Sequence, residues 1–393
     1  MIPMHKVFMP ENIDEVMVPL REVLKGGWIG EGPRVREFEH RIAQFLGTEK
    51  VTALNSCTSA LQLALRLCEV GIGDEVITTP MTCMATNEPI VLSGATPVWA
   101  DVQPDTGNID PDSIRSKITL RTKVIMIVHW GGYPCDIAEI QAIAQEHGLK
   151  VVEDCAHAWG AVYRDTLVGN HSDFACFSLQ AIKHFTTGDG GILVCKHEQD
   201  HMRARSLKWF GIDREQRREN ELGVAEWDIG EAGYKFQMND IAATIGLAQL
   251  PYLSDLLARR RENAAYYQKH LEDLEHAELL QEKDDRQSAY WLFTIKVDER
   301  ERFIKHMKQA GVATSIVHMR NDLHSLFANH NRAGLTGLDE FAARMVCIPV
   351  GPWVGPAERD KIVTVIRRQE WLREKTKVIV VPEEEQEVGS SSH

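Results

Sequence analysis

Long apolar stretches are missing from this sequence. No run of about 18 or more apolar residues occurs, so we expect no membrane-spanning helix. The first residues, MIPMHKVFMPENIDE, lack a basic segment followed by an apolar one, and we therefore expect no secretory signal. Neither a membrane protein nor a secreted one is indicated.

Positive charge is also in short supply. The chain has 44 Lys and Arg residues against 57 Asp and Glu residues, a formal net charge of -13 at pH 7. Nucleic-acid binders usually carry a basic face, so this balance argues against a nucleic-acid partner. A small anionic ligand is not excluded, because a local basic stretch such as 203–218 can still bind one.

Pairs of the CxxC type are absent, although the chain has eight cysteines. Structural zinc sites usually place their ligands at short, regular spacings, so we expect none. His318, His324 and His330 do not have the spacing of two ligands facing each other on a helix, and we expect no metal there either. Cysteines within apolar runs behave as small hydrophobic residues, which predicts a reducing compartment, the cytoplasm.

A length of 393 residues suits a large α/β domain and a smaller one. From about residue 50 to 200, apolar runs alternate with helical patterns, which predicts a mostly parallel sheet covered by helices. The predicted strands are 75–79, 97–100, 124–128, 151–153, 174–177 and 192–195, and the predicted helices are 58–68 and 137–147. We expect a large domain at 1–250, a small one at 251–380 and a disordered tail at 381–393.

Residues 209–232 are polar and weakly periodic, which predicts a mobile loop. A helical pattern then runs from Met238 to about Leu274, with a break at Pro251. The second domain is predicted to contain strands at 289–297 and 313–317 and helices at 301–310 and 358–371.

A helix start near residue 56 is the first candidate site. Asn55-Ser-Cys-Thr-Ser-Ala-Leu runs into an apolar helical stretch, and the N–H groups of a first helical turn have no acceptor within the helix. The helix dipole adds positive potential there, so a phosphate would be stabilised. The plainer interpretation is a simple cap, with Ser56 or Thr58 as the N-cap residue.

A carboxylate after a buried strand is the second candidate. In Val151-Val-Glu-Asp-Cys-Ala-His, Asp154 follows apolar residues, and ligands of open α/β sheets bind at the carboxyl ends of strands. Such a carboxylate can hold a pyridine nitrogen protonated, and His157 could reach a neighbouring ring hydroxyl. The alternative is that Asp154 caps the next helix.

A lysine in a glycine-rich turn is the third candidate. After strand 174–177 and Ser178, a polar turn presents Lys183, and glycines at 188, 190 and 191 precede the next strand. A buried lysine is costly unless its charge is paired or removed, and a desolvated amine is a nucleophile. The alternative is a solvated lysine in a surface turn.

Two further motifs carry less information. Gly233-Tyr-Lys-Phe-Gln-Met-Asn-Asp predicts by itself only a helix start, with Asn239 or Asp240 near the cap. The sequence GGWIGEG at 26–32 resembles a dinucleotide-binding loop, but the residues before it look helical, and that fingerprint requires a preceding strand. We therefore expect no NAD there.

Together, these segments resemble the DegT/DnrJ/EryC1/StrS family of sugar aminotransferases that depend on pyridoxal 5'-phosphate (PLP). The resemblance runs from about residue 8 to 370 and rests on GGWIGEGPRVREFE, NSCTSALQLAL, GDEVITTP, GATPVWADV, the DxxH of EDCAH, FSLQAIKHFTTGDGG and GYKFQMNDIAA, with HMRNDLH and CIPVGP as weaker signals. It implies the type I aminotransferase fold, in which helices sandwich a mostly parallel seven-stranded sheet beside a smaller C-terminal α/β domain. It also implies a homodimer with shared active sites.

The resemblance implies a role for each matching residue. Lys183 would hold PLP as a Schiff base and move protons, Asp154 would bind the pyridine nitrogen, and His157 would lie beside the ring hydroxyl. The cofactor phosphate would be bound by residues of the strand ends and of the other subunit: Ser56, Cys57, Thr58 and Ser178, with Lys235 or Gln237 from the partner.

Three positions depart from the family pattern. Cys83 stands where relatives usually have an aromatic residue stacked on the PLP ring, so stacking is weaker or another residue provides it. Cys57 replaces a more usual glycine. Gly233-Tyr-Lys-Phe-Gln stands where relatives often have GxNxR, so the phosphate ligands of this segment stay open.

The resemblance implies transfer of an amino group from L-glutamate, which leaves as 2-oxoglutarate, through pyridoxamine 5'-phosphate to a nucleotide-linked keto-deoxysugar for O-antigen or related glycan biosynthesis. The segment LQAIKHFTTGDGG looks like that of C4-aminating members, so we expect C4. The expected substrate-binding residues are Trp28, His184, Lys208, Arg214, His318 and Arg320. For the basic residues among them and His318, the alternative is a solvated position at the surface. The alternatives are a cyclitol-like ketone, sugar dehydration by a related branch with His in place of Lys183, and a regulator without catalysis.

Overall fold

The structure, a computed structural model, describes residues 1–213 and 218–372. The helices of these residues are α1 (Asp14–Gly26), α2 (Pro33–Leu46), α3 (Cys57–Leu67), α4 (Met84–Leu92), α5 (Pro111–Lys117), α6 (Ile137–His147), α7 (Glu198–Leu207), α8 (Asp240–Gln249), α9 (Leu253–Leu271), α10 (Arg300–Gln309), α11 (Thr336–Arg344) and α12 (Pro356–Arg367). Their strands are β1 (Val51–Leu54), β2 (Glu75–Thr78), β3 (Thr96–Trp99), β4 (Thr122–Val128), β5 (Lys150–Asp154), β6 (Val162–Tyr163), β7 (Thr166–Leu167), β8 (Phe174–Ser178), β9 (Gly191–Cys195), β10 (Arg218–Glu219), β11 (Ala225–Glu226), β12 (Ala277–Leu279), β13 (Arg286–Gln287), β14 (Phe293–Val297) and β15 (Met345–Ile348).

A seven-stranded sheet in the order β1-β9-β8-β5-β4-β2-β3 forms the centre of the described part of the chain. Neighbouring strands from β8 through β3 run parallel, and β9 alone in this sheet runs antiparallel to both of its neighbours. The mostly parallel sheet predicted from the strand–helix alternation is therefore confirmed.

Helices cover both faces of this sheet because its strands are apolar on both sides. In β4, Ile125 and Ile127 pack in one hydrophobic core, whereas Val124 and Met126 pack in the other. Side chains alternate between the faces of a strand, so the continuous run VIMIV fills both cores.

A second α/β region follows the large sheet. Its antiparallel sheet has the order β12-β14-β15, and α9, α10 and α12 contribute to its core. The start of the chain also joins this region, because Ile2 forms a parallel bridge with Val312. The turn Leu250–Tyr252 lies between α8 and α9 at the proposed boundary between domains 1–250 and 251–380.

The stretch Asp240–Leu271 is long and apolar enough, by length and composition alone, to cross a membrane. It forms two helices rather than one, and the turn around Pro251 confirms the predicted break. Leu257 packs in a core of the large sheet and Tyr267 in the core of the second region. Each of the two helices thus contributes apolar side chains to the protein interior.

The predicted strand 313–317 is wrong. Ser315 makes a single bridge with Cys347, and its hydroxyl accepts a hydrogen bond from the N–H of Val317 at 2.8 Å. Val317 has a φ of 58°, which a β-branched residue cannot combine with a strand. Local turn chemistry overrides the apolar pattern here.

Several other boundaries moved for similar reasons. The strand predicted at 289–297 begins at Phe293, because Tyr290 has a φ of 43°. The helix predicted at 358–371 ends at Arg367, because Gln369 has a φ of 50° and interrupts it before a separate 3-10 turn, Glu370–Leu372. Strand β1 was not predicted.

The segment 209–232 contains a short hairpin, in which β10 pairs with β11. Near its end, Glu231 forms ion pairs with Arg66 at 2.9 Å and Arg203 at 2.7 Å. Mobility of the segment stays a prediction. Arg214 and the tail 381–393 lie outside the described residues.

Candidate active site

Three strands of the large sheet end at the same edge, and each end carries a polar residue. Asp154 is the last residue of β5, Ser178 is the last residue of β8, and Ser56 follows β1 by two positions. Strands β1, β8 and β5 point the same way, so their carboxyl ends lie together. This edge is where open α/β sheets bind their ligands.

The start of α3 offers backbone donors at this edge. Ser56 is the N-cap, and its hydroxyl accepts a hydrogen bond from the N–H of Ser59 at 3.0 Å. The N–H groups of Cys57 and Thr58 belong to the first turn and have no acceptor within the helix. Of the two predicted caps, Ser56 is therefore the correct one, and the helix start remains able to bind an anion.

Gly191 allows strand β9 to approach this helix start closely. A Cβ atom at Gly191 would lie 2.3 Å from the carbonyl carbon of Ser56 and 2.4 Å from the N atom of Cys57. Such distances require the backbone to shift, so only glycine fits. The same residue pairs with Ser178 across the sheet, which brings Ser178 next to the helix start.

The carboxylate of Asp154 is buried and hydrogen-bonded on both oxygens. It accepts from the Thr86 hydroxyl at 2.7 Å and from the Ala156 N–H at 3.0 Å. Burial raises the pKa of Asp154, and these two hydrogen bonds oppose the rise. Turns rather than a helix follow Asp154, so the structure does not support the helix-capping interpretation.

Lys183 occupies the turn between β8 and β9. The turn is closed at its base by a hydrogen bond from the Leu179 N–H to the Gly190 carbonyl at 2.9 Å. The amine of Lys183 lies 3.8 Å from the centre of the Trp291 ring. Burial lowers the pKa of Lys183 to about 8, against the opposing charge of Asp154. The solvated surface lysine considered from the sequence is therefore not what the structure has.

Two histidines lie beside this lysine. The ring of His157 stacks on Trp291 at 3.9 Å and runs parallel to the ring of His318 at 5.7 Å. Burial and the charge of Lys183 lower the pKa of His157 well below its usual value and that of His318 to about 4. Nδ1 of His157 and Nε2 of His318 are buried without a hydrogen-bond partner among the described residues. Both neutral rings can therefore bond a ligand.

His184 and Cys83 adjoin the lysine as well. His184 bonds the Ala289 carbonyl through Nε2 at 3.0 Å, and its other ring nitrogen is buried without a partner among the described residues. Cys83 precedes α4, and its side chain lies close enough to Lys183 to have a minor influence on the pKa of the lysine.

Other predicted site residues have different surroundings. Gln237 forms an isolated antiparallel β-bridge with Leu54, the last residue of β1. Its side-chain oxygen is buried with no partner in the described part of the chain. Lys235 lies over the Trp209 ring at 5.7 Å. Trp28 is 60% exposed and donates to the Glu31 carbonyl.

Lys208 and Arg320, two of the three basic residues predicted to bind substrate, have acidic neighbours. Lys208 is buried and pairs with Glu31 at 2.9 Å and with Glu39 at 3.2 Å. Arg320 pairs with Asp322 at 2.8 Å and also contacts Asp339. These ion pairs give both residues a structural function, and their assignment to substrate stays a prediction.

A cleft of about 660 Å³ reaches Lys183 and His184 from outside. The sequence did not identify the three basic residues on its wall, which are Lys6, Arg259 and Arg260. Arg260 is buried, and its guanidinium donates to the carbonyl of Tyr290 at 3.0 Å.

A further cluster of metal-ligand type lies at His129, Glu153 and Cys155, whose ligand atoms are within 4.8 Å of one another. Nδ1 of His129 accepts from the Cys135 N–H at 3.1 Å, so Nε2 donates to Glu153 at 2.9 Å. The other oxygen of Glu153 accepts from Ser172 at 3.0 Å. Hydrogen bonds already occupy these atoms, which makes the cluster a buried polar pair.

Pyridoxal phosphate fits the site as the structure has it. Its phosphate matches the donors at the start of α3 and the hydroxyl of Ser178. Its ring nitrogen requires a carboxylate such as Asp154, which has lone pairs beyond the two it uses. The unpartnered Nδ1 of His157 supplies a bond for the ring hydroxyl, and Lys183 supplies a nucleophilic amine.

Comparison with known proteins agrees with this geometry. The model of the DegT/DnrJ/EryC1/StrS aminotransferase family matches residues 10–367. The spore coat polysaccharide biosynthesis protein SpsC of Bacillus subtilis (strain 168) is 34% identical over 368 residues, which cover 91% of this chain and 94% of SpsC.

Solved structures give the same result. The sugar aminotransferase CalS13 from Micromonospora echinospora superposes with a TM-score of 0.89 and 39% identity, over 94% of this chain and all (100%) of CalS13. The putative sugar aminotransferase Spr1654 from Streptococcus pneumoniae, in its PMP-form, gives a TM-score of 0.87 and 28% identity, over 95% of this chain and 100% of that one. Spr1654 is also known in a PLP-form.

The predicted family, type I fold and cofactor are thereby confirmed. This chain belongs to the DegT/DnrJ/EryC1/StrS family and is a PLP-dependent sugar aminotransferase.

Proposed function

We propose that this enzyme moves an amino group from L-glutamate to C4 of a nucleotide-linked keto-deoxysugar. One observation carries the proposal: the amine of Lys183, with a pKa of about 8, lies in the same site as Asp154. The lysine segment LQAIKHFTTGDGG supports C4, because it looks like that of C4-aminating relatives.

Each residue of the site has a separate role in the proposed reaction. When bound, PLP supplies an electron sink for the carbon that loses a proton. Lys183 accepts this proton at Nζ and would return it to the cofactor, which requires a pKa near the working pH. Asp154 keeps a proton on the ring nitrogen, and His157 bonds the ring hydroxyl through Nδ1. The phosphate is held by the remaining residues of the edge: Ser56, Cys57, Thr58 and Ser178.

The substrate enters through the cleft beside Lys183 and His184. Lys6, Arg259 and Arg260 lie on its wall together with Glu11, Glu15 and Asp255. The three basic side chains are of the type that binds a diphosphate or the carboxylates of glutamate. We propose these residues ahead of Lys208 and Arg320, because the latter two are held in ion pairs; His318 and Trp28 remain candidates for sugar contacts.

We also propose a homodimer with shared active sites. Exposed apolar side chains cluster on two segments that a monomer leaves in water: Met17, Leu24, Trp28 and Ile29 on the N-terminal segment, and Leu222, Val224, Trp227 and Ile229 at the hairpin. Exposed apolar patches usually mark interfaces. Lys235 and Gln237 would reach the partner's cofactor phosphate. Sedimentation velocity tests this, and a fully active monomer would contradict it.

Amino transfer itself is tested with the purified protein, PLP and L-glutamate. We expect 2-oxoglutarate to form, and 4-keto nucleotide sugars to be aminated in preference to 3-keto ones, as followed by mass spectrometry and NMR. Lys183→Ala should abolish both reactions. Lys196→Ala changes an exposed lysine that follows β9 and should leave them intact.

Acceptance of a cyclitol ketone in place of any nucleotide sugar would overturn the substrate class but not the amino transfer. Sugar dehydration is disfavoured, because that branch has His where this chain has Lys183. A role in deoxyamino-sugar biosynthesis for O-antigen or a related glycan, in the cytoplasm, completes the proposal. The similarity to SpsC supports the polysaccharide context, and eight free cysteines support the compartment.

A further inference from the structure

A line of buried hydroxyl groups leads to the carboxylate of Asp154. The hydroxyl of Thr86, on α4, lies 2.7 Å from Oδ2 of Asp154. The hydroxyl of Thr82, one turn earlier, lies 2.8 Å from that of Thr86. Both threonines are at most 1% exposed, so water does not compete for these bonds.

The direction of the two hydrogen bonds follows from proton counting. An ionised carboxylate only accepts, so Thr86 must donate its single hydroxyl proton to Asp154. The Thr86 hydroxyl has no second proton to donate, so it accepts a hydrogen bond from the hydroxyl of Thr82. Both hydroxyl groups thus donate in the direction of the Asp154 carboxylate. Both dipoles are therefore aligned in favour of a negative charge on Asp154.

The second α/β region fixes the position of this line. The amide of Asn321 donates to the Thr82 carbonyl at 2.8 Å, and its oxygen accepts from the amide of Asn87 at 2.8 Å. Asn87 follows Thr86 directly, so both ends of the hydroxyl pair are anchored. Asn321 is fully buried, which makes these anchors rigid.

Electrostatics shows why the line matters. Burial raises the pKa of Asp154, which works against the ionised form, and the Thr86 hydrogen bond is the largest effect in the other direction. A carboxylate that became neutral could no longer hold a proton on a pyridine nitrogen.

We propose that Thr86, oriented by Thr82, is a positioning residue that holds Asp154 ionised and aimed at the ring nitrogen of PLP. This rests on the role of Asp154 in the proposed function. Thr86 touches neither substrate nor cofactor in this assignment, and acts through the carboxylate alone.

The test uses full-length enzyme loaded with PLP that carries ¹⁵N in its ring, because the nitrogen resonance reports whether that atom is protonated. Thr86→Val keeps the shape and removes the hydroxyl, and should move the resonance toward the unprotonated position. PLP affinity should fall about tenfold, the lower end of the loss seen when a hydrogen-bond partner of a metal ligand is removed. Thr86→Ser should restore both values.

Two further variants complete the experiment. Thr244→Val removes a buried helical hydroxyl that donates to the Asp240 carbonyl, and should leave the resonance unchanged. Thr82→Val should shift it by less than Thr86→Val, and this variant decides the matter if Thr86→Val does not fold. A wild-type resonance in Thr86→Val, or in Thr82→Val where only that variant folds, overturns the inference. A wild type that binds PLP but does not transfer an amino group overturns the proposed function instead.

Discussion

The amine of Lys183 lies over the ring of Trp291, 3.8 Å from its centre. The indole N–H donates to the Ile182 carbonyl at 2.9 Å, which fixes the ring next to the lysine. Trp291 also stacks on His157. An aromatic side chain from the second α/β region is therefore present in a site where Cys83 stands at the family's usual stacking position.

The amine of Lys183 should become reactive at an unusually low pH. A lysine with a pKa of about 8 is half neutral at pH 8, whereas an ordinary lysine is half neutral near pH ~10.4. The neutral amine attacks PLP, so the rate of cofactor attachment to the cofactor-free protein should rise up to about pH 8 and then level off. Stopped-flow absorbance measures this rate. A continued rise to pH 10 would show that Lys183 is not desolvated.

Replacing Trp291 should move the pH at which the rate of cofactor attachment is half-maximal, the midpoint of this pH dependence. In Trp291→Ala, water reaches the amine, and since burial is the largest influence on the pKa of Lys183, that pKa should rise above 8. The lost cation–π contact works in the opposite direction but is smaller. Trp291→Phe keeps an aromatic cover and should keep the midpoint near 8. Identical pH profiles for the Ala and Phe variants would argue against the burial effect.

Gly191→Ala should destabilise the protein by about 1–3 kcal/mol, the usual cost of forcing extra atoms into a packed interior. Its new Cβ would lie 2.3 Å from the Ser56 carbonyl carbon, and the helix start would have to move. PLP affinity should fall in parallel. Thermal unfolding and cofactor titration measure the two effects. Gly71→Ala, which meets nothing within 4 Å, is the matched control and should change neither.

Asp240 joins two distant helices and should be important for stability. Its carboxylate accepts from the N–H groups of Gly32 at 2.8 Å and of Arg34 and Val35 at 3.1 Å, at the start of α2. Asp240→Ala leaves these donors without the carboxylate and should cost about 2–3 kcal/mol in urea unfolding. Glu88→Ala, an exposed acidic residue on α4, should cost far less. Equal losses would mean that the cap contributes little.

The buried pair of His129 and Glu153 should make stability depend on pH. Burial raises the pKa of Glu153, but its hydrogen bonds, that from His129 first and that from Ser172 next, lower it overall. The ionised form thus contributes stability above the usual glutamate pKa of about 4.3, and this is lost as pH falls through the lowered value.

Glu153→Gln should therefore be destabilised by about 1.5–3 kcal/mol at pH 7, the usual contribution of a hydrogen bond to a charged group. The difference in the free energy of unfolding between wild type and this variant should become smaller as the pH falls below about 4. Denaturant unfolding at several pH values gives the comparison, and a gap that stays constant would contradict the assigned pKa direction.

Local patterns were sufficient for much of the fold. The continuous apolar runs of β4 and β5 and the helix Ile137–His147 were predicted because period and turn residues are properties of short segments. Asp154 and Lys183 were identified in the same way, since a strand end and a glycine-rich turn are visible in sequence. The strand predicted at 313–317 failed where a positive φ at Val317 depended on a local side-chain bond.

By itself, the sequence determined six of the seven strands of the large sheet, where the candidate lysine and carboxylate stand, and which family the chain resembles. Only the tertiary structure decided what surrounds them. Thr86 and Asp154 are 68 positions apart in the chain, and Trp291 comes from beyond the large sheet, yet each makes a direct contact in the site. Such contacts depend on how helices and strands pack together, and the spacing of residues along the chain does not predict that packing.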